Sequence, residues 1–293
     1  MVRKSGVVLE EVRRLHAQIM AVATGSPDER FERIFELVPR EAFLGPGPWH
    51  IVVHPWKKTY RHRYIETPSD NPVHVNQNVL VALDRAKGIN NGEPMLHAAW
   101  LGSVNPQGGE VVTHIGAGTG YYTAILSMLT LPNGRVHAFE IDERLAGWAR
   151  ENLAPFEDVS VTHGDATVLA LPPSDLIYVN AGVVVPPVHW LESLRPGGRM
   201  IFPWRPSEDV AFAMLITRGQ TGFSARPLMP AWFIPCIGAS DPHQGLKVPD
   251  SVGARSIRSV WLTKDRAPDE SAIAIFRDVW FSNEAVTSIA VAA

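Results

Sequence analysis

The chain has a single cysteine, Cys236, which excludes any internal disulfide and fits a reducing compartment. It has no apolar run approaching the roughly 18–20 residues that a bilayer span requires. The opening stretch "MVRKSGVVLEEVRRLHAQIM" lacks the apolar core of a secretory signal. No excess of one charge is present: 27 basic residues stand against 30 acidic ones, a formal charge of −3, so nothing in the balance asks for a nucleic acid. Low-complexity tracts and internal repeats are also missing. The expectation is a cytoplasmic protein with no membrane and no nucleic-acid partner. What the chain does have is length and apolar content. Its 293 residues are 45% hydrophobic, enough for one large domain or for one domain with a smaller companion. Its 23 glycines and 24 prolines imply many turns.

Near the start, Val8, Val12, Leu15 and Ile19 recur at spacings of four, three and four, which predicts the buried face of an amphipathic helix. "SPDE" predicts the next helix start, with Ser26 as N-cap, Pro27 in the first turn and Glu29 closing a capping box. Phe31, Ile34, Phe35 and Val38 then face the core. Residues 43–72 are rich in Pro, His and Trp and read as irregular. "NQNVLVALD" fits helix or strand.

From about residue 110 the pattern alternates. "EVVTHI" reads as strand, "YYTAILSML" as helix, "RVHAFEI" as strand, "ERLAGWARENL" as helix and "VSVTHGD" as strand. "DLIYVNAG" (strand), "PPVHWLESL" (helix), "GGRMIFPW" (strand) and "VAFAMLITR" (strand) follow, with Gly197 and Gly198 as a tight helix-to-strand turn. "SAIAIFRDVWFS" is read as a further strand. Alternation of this kind predicts an α/β fold, a mainly parallel sheet with helices on both faces, whose ligands bind at the carboxyl ends of the strands. The implied regions are 1–109, N-terminal helices with a lid or substrate loop; 110–220, the ligand-binding core; and 221–293, a C-terminal extension packed on that core.

Four positions carry chemistry. "HIGAGTG", His114 to Gly120, is a glycine-rich turn between strand and helix, with Gly116, Ala117, Gly118 and Gly120 exposing main chain to a ligand. Its GxGxG spacing departs from the dinucleotide GxGxxG, whose last position is here Tyr121. Glu140 ends the next strand, 20 residues beyond Gly120, where an acid can accept both hydroxyls of a ribose. In "HGDA", Asp165 and the small Ala166 suit an adenine amino group approaching the chain, although an isolated Asp there would read as an ordinary turn residue. "LRPGGRMIFP" is architecture.

In this order the four elements resemble class I S-adenosylmethionine-dependent methyltransferases with a Rossmann-like core, and more narrowly the protein-L-isoaspartate O-methyltransferases. "VPREAF" at 38–43 resembles that family's N-terminal element, and "IGAGTGYYTAIL", "VHAFEIDERLAGWARENL", "VTHGDATVLALPPSDLIYVNAG" and "LRPGGRMIFPW" follow at the family's spacing. The resemblance spans roughly residues 30–205. It implies S-adenosyl-L-methionine as cofactor, held by His114, Gly116, Ala117, Gly118, Gly120, Glu140, Asp165 and Ala166, and a protein or peptide carboxylate, of isoaspartyl type, as methyl acceptor. It assigns nothing to a metal.

The family's "TISQP"-like acceptor loop falls on "NNGEP", whose Pro94 precedes Gly116 by 22 residues. The family serine lands on Gly92 and the glutamine on Glu93, so the resemblance makes Asn91 and Gly92 of this acceptor loop candidate catalytic residues, with Asn180. A rival alignment sets "VNQN", Val75 to Asn78, against the same motif. The stretch "HVNQNVLVALDRAK" is additional.

A carboxylate acceptor is ionised at neutral pH and needs no base, whereas an amine or hydroxyl would, with histidine the usual choice. His97 in "PMLHAAWL" fits a packed helix residue. His114 is expected to support the cofactor end of the loop rather than to move protons, or else to be a buried histidine satisfied by backbone. Asn180, in "VNAG" at the end of the fourth strand, either orients an acceptor oxygen or caps a turn. Trp49, Trp56, Tyr60 and Tyr64 interleave with His50, His54, Lys57, Lys58 and Arg61, which reads as a lid or surface loop in preference to a nucleic-acid surface. Two other activities fit parts of the pattern: a nicotinamide-dependent oxidoreductase, opposed by Tyr121 and the loop spacing, and a non-catalytic binding protein, favoured by Gly92.

Overall fold

The computed structural model describes residues 5–53 and 63–286. In chain order the elements are α1 (Ser5–Thr24), α2 (Arg30–Leu37), β1 (His50–Val53), β2 (Arg63–Glu66), β3 (Ala82–Asp84), β4 (Ile89–Asn90), α3 (Pro94–Val104), β5 (Val111–Ile115), α4 (Tyr121–Thr130), β6 (Arg135–Glu140), α5 (Glu143–Leu153), β7 (Val159–His163), β8 (Ser174–Val179), α6 (Val188–Ser193), β9 (Leu194–Trp204), β10 (Phe212–Arg218), β11 (Phe223–Pro230), α7 (Ser251–Ser256), β12 (Ser259–Leu262), β13 (Ala272–Ile275) and β14 (Val279–Ser282). None of the helices in the described residues is long and apolar enough to cross a membrane. The chain divides into two compact units. The first holds Met1–Glu110 and Gly116–Gly164, the second Val111–Ile115 and Asp165–Ala293.

In the first unit α1 packs on α2 and α3. Its buried face is not the predicted one. Leu15 and Ile19 are 58% and 44% exposed, while His16, Ala17, Met20 and Thr24 are buried. The close approach to α3 sets this face: a Cβ on Gly102 would lie 2.0 Å from the Thr24 carbonyl oxygen. α2 also starts later than "SPDE" predicts. Glu29 occupies the N-cap without a side-chain cap bond. Ser26 instead accepts from the Asp28 N–H, and Asp28 accepts from the Arg30 N–H. Phe31, Ile34, Phe35 and Val38 are buried as expected.

The segment read as irregular contains an antiparallel pair, β1 with β2, in which His50 faces Glu66 and Val52 faces Tyr64. The residues His54, Trp56, Lys57, Lys58, Tyr60 and Arg61 of the proposed lid lie outside the described residues. Only the end of "NQNVLVALD" is strand: β3, Ala82–Asp84, pairs with β4 in a short antiparallel hairpin. That hairpin is seated on α5, because Leu83 and Val81 join Leu44, Trp49, Val75 and Leu145 in one apolar cluster, with Trp148 against it. β6 and β7 are parallel, Val136 facing Val159 and Glu140 facing His163. α5 begins at the predicted residue because Asp142 accepts from the Leu145 N–H as an N-cap.

In the second unit the strands run β13-β14-β12-β11-β10-β9-β8-β5. β5, β8 and β9 are parallel, and β10 to β14 continue the sheet antiparallel. β8 is covered on both faces, with Leu176, Ile177, Tyr178 and Val179 fully buried, which is why it reads as an unbroken apolar run. The register sets His114 opposite Tyr178 and Ile115 opposite Val179. Two details differ from expectation. β9 begins at Leu194, so the Gly197–Gly198 turn lies within the strand, where pairing with β8 slips between Ser174 and Leu176. "SAIAIFRDVWFS" is two strands, β13 and β14, folded back on each other.

Candidate active site

The first unit holds the glycine turn. The N–H groups of Gly116 and Ala117 both donate to the Phe139 carbonyl, at 2.9 and 3.1 Å, and Gly120 N–H donates to Ala117 O at 2.9 Å. Gly120 has φ +95°, a left-handed conformation that disfavours other residues, and a Cβ there would lie 2.6 Å from Leu153 of α5. Tyr121 does not obstruct the turn. It is turned inward and fully buried, its ring 5.7 Å from that of Phe43 in "VPREAF".

Glu140 is 6% exposed. One carboxylate oxygen accepts from Gly118 N–H at 2.7 Å and the other from Asp142 N–H at 2.9 Å. Burial pushes its carboxyl above the usual carboxylate range, and these N–H donors pull the other way. Each oxygen keeps a lone pair for a hydroxyl. Leu83 of the β3–β4 hairpin lies over the turn, 3.3 Å from where a Gly118 Cβ would be. Two ion pairs hold the hairpin to the β6–α5 corner, Lys87 with Asp142 and Arg144 with Asp84. Bare main chain at Gly118 beside a bonded carboxylate fits the ribose end of a nucleoside cofactor.

Beside this lies a feature that the sequence reading passed over. Arg40, also in "VPREAF", is fully buried. Its guanidinium donates to the carbonyls of Val75 (2.8 Å), Gln77 (3.3 Å), Val79 (2.8 Å), Asn91 (2.8 Å) and Gly92 (3.0 Å), and to Asn91 Oδ1 (3.2 Å). No carboxylate is among these acceptors. The two stretches that competed for the acceptor-loop motif are therefore neighbours, laced together by one arginine. Asn78 strengthens the link, donating to Glu93 Oε1 and accepting from Met95 N–H. The clue in the sequence was an arginine inside an apolar motif, which must bring its own acceptors when buried.

The second unit holds the other candidates. His114 is fully buried, and burial lowers its pKa to about 3. A base that weak does not collect a proton near neutral pH. Asn180 Nδ2 lies 2.8 Å from His114 Nε2, so the two residues singled out separately are one bonded pair. Asn180 N–H also donates to Ile115 O. Asn180 Oδ1 is buried and has no hydrogen-bond partner among the described residues. Asp165 Oδ1 accepts from the N–H and hydroxyl of Thr167, at 2.8 and 2.7 Å. The Ala166 carbonyl accepts from Trp190 Nε1.

Beyond β8 the chain is flanked by a stretch from the C-terminal region. Gly182 N–H donates to Ile234 O, Cys236 N–H to Gly182 O, and Val184 N–H to Ala239 O. Arg205 stacks 5.1 Å over Trp232.

A glycine turn with an acid at the end of the following strand, on this α/β fold, fits a class I S-adenosylmethionine-dependent methyltransferase, and solved structures share the fold. A protein-L-isoaspartate O-methyltransferase superposes with a TM-score of 0.64 over 91% of this chain and 86% of its own, at 18% identity. The Plasmodium falciparum structure described as a putative protein-L-isoaspartate O-methyltransferase in complex with S-adenosyl-L-homocysteine gives 0.59 over 76% of this chain and 97% of its own, at 16% identity. In sequence, the protein-L-isoaspartate(D-aspartate) O-methyltransferase family matches residues 50–241, and the chain belongs to that family. The protein-L-isoaspartate O-methyltransferase of Aeropyrum pernix is 34% identical over 165 residues, 53% of this chain and 63% of the relative's length. S-adenosyl-L-methionine is accordingly the cofactor.

Proposed function

We propose that the chain methylates the free carboxylate of an isoaspartyl residue in a protein or peptide. The observation that carries this is the family match over residues 50–241, which takes in the glycine turn, Glu140 and the Asn91–Gly92 loop together. Bound S-adenosyl-L-methionine would supply an activated methyl group, whose carbon the acceptor carboxylate oxygen would take as the carbon–sulfur bond breaks and the neutral thioether leaves. The chain's part is to bind, align and shield. Gly116, Ala117, Gly118 and Gly120 offer bare main chain, Glu140 accepts the ribose hydroxyls, and Asp165 with Ala166 receives the adenine edge. No residue has to remove a proton, because a carboxylate with a reference pKa of about 4 is already ionised. The weak basicity of His114 suits that chemistry.

Asn180 keeps the part expected of it: Nδ2 carries two hydrogens, one meets His114 Nε2, and the other is left to orient an acceptor oxygen. Its Oδ1 suits a donor, such as a main-chain N–H of the acceptor peptide. Asn91 and Gly92, fixed by Arg40, line the acceptor side. The test is incubation with methyl-labelled cofactor and an isoaspartyl peptide beside its aspartyl twin. Label in the isoaspartyl peptide alone is expected. Equal labelling of both, or of neither, removes this reading.

A further inference from the structure

The resemblance drawn above sets a family serine against Gly92, and the structure contains a reason for a glycine there. A Cβ on Gly92 would stand 2.2 Å from His97 Nε2, 2.5 Å from His97 Cδ2 and 2.9 Å from Tyr122 Cε2. Atoms in a packed interior do not approach so closely, so the imidazole occupies the volume that any side chain at 92 would need. The imidazole has little room to give way. His97 is fully buried in α3, its ring stacked on Tyr122 with centroids 3.7 Å apart and planes 21° apart. Trp100 lies on another side at 5.6 Å. The loop is equally constrained, since Gly92 O accepts from Arg40 Nη2 at 3.0 Å and from the Tyr122 hydroxyl at 3.4 Å.

We propose that Gly92 and His97 are a matched pair that determines acceptor specificity, the imidazole filling the side-chain space so that the loop meets the acceptor with main chain alone. This rests on the reading above that the Asn91–Gly92 loop faces the acceptor. His97 itself is a positioning residue. It is sealed from solvent and acts through the shape of the loop. The pair also explains why a glycine is compatible with activity here: the space is filled by a neighbour, so the loop neither collapses nor gains freedom.

The test is a double-mutant cycle with Gly92→Ser, His97→Ala and both together, read by urea midpoint, by peptide KM and kcat, and by the cofactor Kd from calorimetry. Gly92→Ser alone is expected to lower the midpoint and raise the peptide KM at least tenfold, with the cofactor Kd within twofold of wild type. Adding His97→Ala is expected to recover most of the midpoint and part of the peptide KM. Gly92→Ser with His97→Phe, which keeps the ring volume and removes the nitrogens, is expected to recover neither. Should Gly92→Ser prove insoluble, Gly92→Ala carries the same Cβ and is used in its place. Additive midpoints, or coupled midpoints with an unchanged peptide KM, would overturn the proposal. An inactive wild type would instead strike the isoaspartyl reading, and it would be seen before any variant is made.

Discussion

Replacement of Arg40 by alanine is expected to remove a large share of the protein's stability and lower its urea midpoint by about 1 M or more. Removing one partner from a buried charged network costs about 3–5 kcal/mol, and whole domains are stable by only about 5–15 kcal/mol. Here the loss falls on five carbonyls at once, those of Val75, Gln77, Val79, Asn91 and Gly92, which would be left without the donor that now serves them. Arg40→Lys is expected to recover little. An ammonium has three donors on a flexible stem and cannot span the fan of acceptors that the planar guanidinium reaches. Urea unfolding followed by tryptophan fluorescence measures both variants. A midpoint within a few tenths molar of wild type for Arg40→Ala would show that the network contributes little. The cationic form survives without a counter-carboxylate because carbonyl dipoles surround it, while burial still lowers its pKa.

The second large effect is acid sensitivity below the ordinary histidine pKa. Burial lowers the pKa of His16 to about 4 and of His114 to about 3. Above about pH 6.5 both are neutral in the folded and unfolded chain alike and add no pH dependence. Below it the unfolded chain takes up protons that the folded chain refuses, so stability falls with pH. Each histidine then contributes a slope of about 1.4 kcal/mol per pH unit until its folded pKa is reached. Over the two units below pH 6.5 the pair is expected to remove about 5 kcal/mol. Glu140, with its folded pKa raised, acts in the opposite sense and offsets a part. Urea midpoints between pH 7.5 and 4.5 measure the slope. His16→Gln and His114→Asn are each expected to flatten it, and an unchanged slope in both would refute the assignment.

The run from β5 to β8 was legible because its determinants are local. "ERLAGWARENL" is α5 residue for residue, since the cap at Asp142 and the apolar spacing lie within one short stretch. The glycine turn and Glu140 were legible for the same reason, each marked by its place at a strand end. What escaped was set by approach between distant segments. The face α1 buries is chosen by α2 and α3, not by its own hydropathy. Arg40 joins residues up to 52 positions away, and Asn180 meets His114 across 66. The exclusion of a side chain at Gly92 follows from a ring on the next helix, which no spacing rule registers.

Cys236 turns the stretch beside Gly182 into something that can be timed. It is the chain's only thiol, 6% exposed, and burial together with the nearby Asp165 pushes its pKa up to about 12. Docked against Gly182, it offers a reagent neither access nor thiolate. A thiol-reactive dye can label it only when that stretch lifts away, so the labelling rate acts as a clock for its opening, read from one site with no engineered label.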